Sequence, residues 1–184
     1  MSDESREDWV ELVCRFWFDE LQPEQWFRSD PAVDAVIRRR FADLHKALTA
    51  APVVISDPRA ALARIIVLDQ FSRNMFRGSP EAFAVDPLAL EISEAAIAAG
   101  FDHGLAPRER QFLYMPLQHS EDRAVQRRSV KLFAGLGMPE ALGFAERHKA
   151  IIDRFGRFPH RNAVLRRPST SEEIEFLKAA PSFG

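Results

Sequence analysis

Two stretches hold the residue types that could do chemistry. In LDQFSRNMFRG, residues 68–78, Asp69 and Arg73 stand four apart, as do Gln70 and Asn74, and Arg77 follows one turn after Arg73. Helical spacing stacks such groups on adjacent faces. The second stretch, Arg154 to Arg167, carries Arg154, Arg157, His160, Arg161, Arg166 and Arg167 with no acidic residue among them. Arginine offers a fork of donors that matches carboxylate or phosphate, so the segment reads as an anion site, or as a loop tied to acids such as Asp69, Asp86 and Glu121. Between the two lie His119, next but one to Glu121, and His148.

Three histidines and a carboxylate could ligate zinc or iron, but no HxxxH or HExxH pair is present, and a histidine on an apolar helical face is usually a hydrogen-bonded core residue. No metal is therefore assigned, and no cofactor is implied. Glu121 beside His119 is a candidate general base. Glycine-rich phosphate loops, a GxSxG elbow, CxxC and a dinucleotide fingerprint are all absent, which argues against the common enzyme classes.

The elements that must position these groups read as helices. Trp9, Leu12, Val13, Phe16 and Trp17 recur at three and four, so an amphipathic helix introduced by Asp3 and Glu4 should run to about Glu20. Trp26 and Phe27 are expected to fold back onto the core. Asp30-Pro31, Asp57-Pro58 and Asp86-Pro87 repeat one device, a capping acid followed by a first-turn proline. The stretch from Leu62 to Gly78 organises the rest: its first half is apolar on every side and so must be buried on every side. A helix from Pro107 should break near Pro116, Ser120 should cap the next, and Phe144, Ala145, His148, Ile151, Ile152 and Phe155 form one inward stripe. Thr170 and Glu173 form a capping box for a last short helix. No segment alternates with period two, and short loops between successive helices imply antiparallel hairpins, hence an all-α array with no sheet.

The 184 residues suit a single domain spanning 1–184. With 46% hydrophobic and 28% charged residues the chain is globular, and a formal charge of −2 supplies no bulk attraction to nucleic acid or to an anionic membrane. The arginine loop also lacks the aromatic array that stacks bases. No apolar run is long enough to span a bilayer, and Met1 opens into SDESRED rather than a secretion signal, so a cytoplasmic protein is expected. The lone Cys14 reads as a small core residue.

LDQFSRNMFRGSPEAFAVDPLAL, RERQFLYMPLQHSE and HKAIIDRFGRFPHRNAVLRRPSTSEE together resemble the bacterial family called domain of unknown function 924, and the likeness extends to the FWF at Phe16 and the WF at Trp26. It implies an all-α fold similar to tetratricopeptide-repeat proteins, with no established activity; no 34-residue repeat is visible in the sequence itself. Ser72 departs from the proline expected at that position. Inward polar groups on separate helices are most readily satisfied by meeting one another, so Asp69, Arg73, His119, Glu121, His148, Arg157 and His160 are expected to converge on one polar cleft, with Arg77 and Arg161 beside it. Such a cleft would bind a small anionic ligand or an acidic peptide. A metal-assisted hydrolase built on the His/Glu/Arg cluster, and a purely structural scaffold, are the alternatives.

Overall fold

The computed structural model describes residues 3–179, with side chains from Trp9 onward. The expectation placed on the side chains of Asp3 and Glu4 lies outside them. The helices are α1 (Asp3–Arg15), α2 (Pro31–Ala50), α3 (Pro58–Ile65), α4 (Ser72–Met75), α5 (Asp86–Ala98), α6 (Pro107–Gln118), α7 (Arg123–Ala134), α8 (Pro139–Phe155) and α9 (Ser171–Ala179). Among the described residues there is no strand. Short turns join α6 to α7 and α7 to α8, and each pair packs together, so the chain doubles back on itself in successive hairpins.

α3 and α4 are two ends of one central helix, joined by a π-helical segment over Ile66–Phe71. Leu62, Ala63 and residues 65–68 are fully buried, as the apolar run requires, against α1, α2, α5 and α6. Arg64 is the exception to that run. It is buried too, and its guanidinium donates to the carbonyls of Leu48, Ala51 and Pro52, satisfying the C-terminal end of α2. In a π-helical segment the usual i→i−4 ladder is interrupted, and here side chains take up the slack: Ser72 Oγ donates to the Leu68 carbonyl and Arg73 Nη1 to the Asp69 carbonyl at 2.7 Å. Ser72 also lies 2.7 Å from His45 Nε2, a buried pairing that the sequence pattern did not suggest.

Local signals placed most helix ends. Asp30 accepts from the amides of Ala32 and Val33, and Asp57 from Ala60. Thr170 and Glu173 close the capping box reciprocally. Three expectations need correction. α6 continues through Pro116 to Gln118, because a proline in the last turn removes one ladder bond only two residues before the helix ends anyway. The cap of α7 is Asp122, which accepts from Ala124 and Val125, while Ser120 Oγ accepts from the Asp122 amide. Asp86 opens α5 but does not cap it; Val85 is the N-cap and the Asp86 carboxylate turns elsewhere. Trp26 does pack onto the core and donates to the Trp17 carbonyl at 2.8 Å, whereas Phe27 stays half exposed while stacking on Phe112. Cys14 is buried, and burial pushes its thiol up to about 11, so it is an inert core residue. No described helix is long and apolar enough to cross a membrane.

Candidate functional site

The π-helical segment carries Asp69 to the centre of a buried polar cluster. Its side chain is fully buried, and Oδ1 lies 2.7 Å from His119 Nδ1 and 3.1 Å from Arg73 Nη1, while Oδ2 accepts from Gln70 Nε2. Burial pushes the Asp69 carboxyl up, but Arg73 and His119 outweigh it and hold the group well below the usual carboxylate range. His119 is lowered as well: burial and the nearby Arg73 charge overcome the pull of Asp69. An ionised carboxylate can only accept, so a neutral His119 must carry its proton on Nδ1 and donate it to Asp69. Its lone pair is then on Nε2.

Asp86 is the second anchor. Arg73 donates to both of its oxygens at 3.0 Å, and Arg161 Nη1 reaches Oδ2 at 3.2 Å. α5 presents Asp86 from its first residue, α4 presents Arg73, and the 3-10 turn Pro159–Arg161 presents Arg161. The Arg161 guanidinium is buried between the rings of Phe83 and Phe158, 4.6 Å from each centroid, and its Nε has no hydrogen-bond partner. Burial lowers its pKa to about 10, Asp86 opposing and Arg73 reinforcing the fall.

α8 and the same turn add two more imidazoles. His148 donates from Nδ1 to the Phe144 carbonyl one turn back, its ring 6.3 Å from that of His119 and 5.5 Å from that of Phe158, and the ring of His160 also lies 5.5 Å from that of Phe158. Burial pushes both down to about 4, aided for His148 by His119 and for His160 by Arg161, so all three imidazoles are neutral at pH 7. Among the described residues no group of three His, Cys, Asp or Glu is placed to hold a metal ion.

Of the residues expected on one cleft, Asp69, Arg73, His119, His148, His160 and Arg161 therefore do meet. Glu121, Arg157 and Arg77 are engaged elsewhere. Glu121 accepts from both Nη atoms of Arg167, at 2.8 and 3.0 Å, and from the Phe158 amide at 2.7 Å, so it braces the loop that carries Arg161. Arg157 forks onto Glu173 at 2.7 and 2.8 Å and also donates to the Pro168 carbonyl. Arg77 pairs with Asp34 on α2, which also accepts from Asn74. Sequence reasoning gave Asp86 both as a cap and as an acid tied to the arginine loop; the tie holds, with Arg161 on Asp86 and Arg167 on Glu121, and the cap does not. Phe83 and Phe158 were passed over.

The chain matches, over residues 13–181, the model of a family described as bacterial protein of unknown function, DUF924. The chain belongs to this family. A solved structure, that of a protein of unknown function from Agrobacterium tumefaciens, superposes with a TM-score of 0.86 at 36% identity, covering 95% of this chain and 99% of that one. No curated protein matches this DUF924 chain. The likeness to the solved neighbour supports the all-helical fold, and neither match carries a known function.

Proposed function

We propose that the Asp69–Asp86 cluster binds a small anionic ligand, with Arg161 and Arg73 as its counter-charges and His119 Nε2 as the acceptor for a ligand proton. The observation that carries this reading is Arg161. A guanidinium clamped between two phenyl rings, sharing its one carboxylate with Arg73 and leaving Nε unpaired, is poorly satisfied for a group that costs so much to bury. An oxyanion beside it would complete the set. Carboxylates or phosphates of small molecules fit this better than a peptide, because Arg73, Asp86 and His119 are each only 10–21% exposed.

A second reading, hydrolysis or proton transfer, is favoured by the carboxylate-fixed tautomer of His119, which is the arrangement of a general base. The two separate experimentally. Titrating acetate, succinate and inorganic phosphate while following His119 and Arg161 by NMR should shift both residues saturably, and Arg161→Gln should abolish the shift. Anions that leave both resonances unmoved in the wild type sink the binding reading. If a bound ester or phosphoester is also turned over, His119→Gln should remove turnover and retain binding.

A further inference from the structure

A cavity with both polar and apolar walls lies on another part of the molecule, away from the Asp69–Asp86 cluster. It occupies about 530 Å3 and is lined by Ile97 from α5, Asp102 and His103 from the 3-10 turn Phe101–Gly104, Arg110 and Tyr114 from α6, and Arg128, Lys131 and Leu132 from α7. Its floor is a chain of hydrogen bonds. Tyr114 donates to Asp102 Oδ2 at 2.6 Å, and Nε and Nη2 of Arg110 both point at the Tyr114 oxygen, at 3.4 and 3.3 Å. Asp102 is 5% exposed, and its other oxygen, Oδ1, is buried with no hydrogen-bond partner. The exposed ring of His103 lies 3.9 Å from it through Nε2, beyond hydrogen-bond reach.

Three permanent cations, Arg110, Arg128 and Lys131, and one carboxylate, Asp102, therefore line the same cavity. Arg128 is shared with Glu94 at 3.1 Å, but among the described residues no carboxylate pairs with Arg110 or Lys131. A surplus of positive charge above an acceptor that lacks a donor is a complementary pattern for one kind of molecule.

We propose that this cavity is a second binding site, for a small oxyanion-bearing molecule that also presents a hydroxyl. Lys131 and Arg110 take the phosphate or carboxylate, and the ligand hydroxyl donates to Asp102 Oδ1, with the exposed His103 ring moving aside to admit it. Ile97 and Leu132 supply an apolar wall for the carbon skeleton. The site is independent of the Asp69–Asp86 cluster: none of its lining residues belongs to that cluster.

The test is a titration of the full chain with inorganic phosphate, acetate and glycerol 3-phosphate, followed by backbone NMR. The amides of Gly104, Lys131 and Gly135 should shift saturably with Kd on the order of millimolar, and glycerol 3-phosphate should bind several-fold more tightly than phosphate, since its hydroxyls reach Asp102. The preference between phosphate and acetate distinguishes which oxyanion the cations select. Lys131→Ala, at an exposed position that puts folding at no risk, should weaken phosphate about tenfold, as expected for one lost charge-assisted hydrogen bond. Asp102→Asn keeps an acceptor for Tyr114 and should erase the advantage of glycerol 3-phosphate without weakening phosphate. The proposal is overturned if no saturable shift occurs at these amides, if shifts arise only around His119 and Arg161, or if Lys131→Ala binds phosphate like the wild type. Equal affinity of the wild type for glycerol 3-phosphate and phosphate overturns the role given to Asp102.

Discussion

Asp69 and Glu173 are both hidden carboxylates that hold arginines, and the surroundings of each decide what it can do. Glu173 sits at the first turn of α9 and accepts from Arg157 twice, from the Thr170 amide and from Asn162, so every nearby donor has an acceptor and the carboxyl is pulled down to about 2, mainly by Arg157. It is shielded by these partners rather than by depth in the core. Asp69 lies inside the core with a titratable neighbour, His119, and a second carboxylate shared by two guanidiniums. A closed set of bonds is a clamp; a set that leaves an imidazole lone pair and a guanidinium donor over is what we propose as a site. Counting charged residues does not separate the two, because each region is rich in both signs.

The contrast can be broken most forcefully at Asp69. Asp69→Ala should destabilise by roughly 2–4 kcal/mol, since Arg73 and His119 lose a fully buried partner. A change below about 0.5 kcal/mol in denaturant unfolding would mean that the carboxylate is not holding a charge in the core. Glu173→Ala should cost less, about 1–2 kcal/mol, through loss of the α9 capping box and the Arg157 fork. It should leave the His119 resonances where they are. If they move, the two regions are coupled and the distinction between clamp and site fails.

Acid sharpens the comparison further. His148 and His160 have folded-state values of about 4, against about 6.5 for an unfolded histidine, so between those pH values the unfolded chain binds more protons. Their contribution is fully present above about pH 6.5 and is lost as pH falls toward 4; the depressed carboxyl of Asp69 adds a further loss below the unfolded carboxylate range. The melting temperature should therefore decline from pH 7 to pH 4, and the double variant His148→Gln/His160→Gln should flatten that decline. An equally steep decline in the double variant would show that these rings are solvated. The smallest effect is expected at Arg157→Ala, on the exposed side of the clamp, where anion titrations should read as in the wild type while Arg161→Gln does not.

The fold was legible because helix periodicity and the Asp-Pro starts are local signals, carried by neighbours in sequence. Asp30 and Asp57 cap as their spacing says. Asp86 carries the same signal and does otherwise, because a distant pair of arginines outcompetes two backbone amides for its carboxylate; the sequence offered both partners, and only the packing decides between them. Arg157 and Arg161 are four residues apart in one arginine-rich stretch and end in different networks, since the turn at Pro159–Arg161 sends one outward to α9 and the other inward against Phe83. The π-helical segment had no signature at all. α-Helical spacing happened to pair Asp69 with Arg73 correctly, but it did not show that Ser72 and Arg73 also reach back to the carbonyls of Leu68 and Asp69.

That segment also constrains how the gene can change length. A π-helical turn holds one residue more than an α-helical turn. If one residue between Ile66 and Phe71 were deleted, the segment could close into a regular α-helix while the residues on either side kept nearly the same facing, so Arg73, Asn74 and Arg77 would still point toward Asp86 and Asp34. A residue lost from the regular turns of α3 would instead rotate everything after it by about 100° about the helix axis and break both networks in one step.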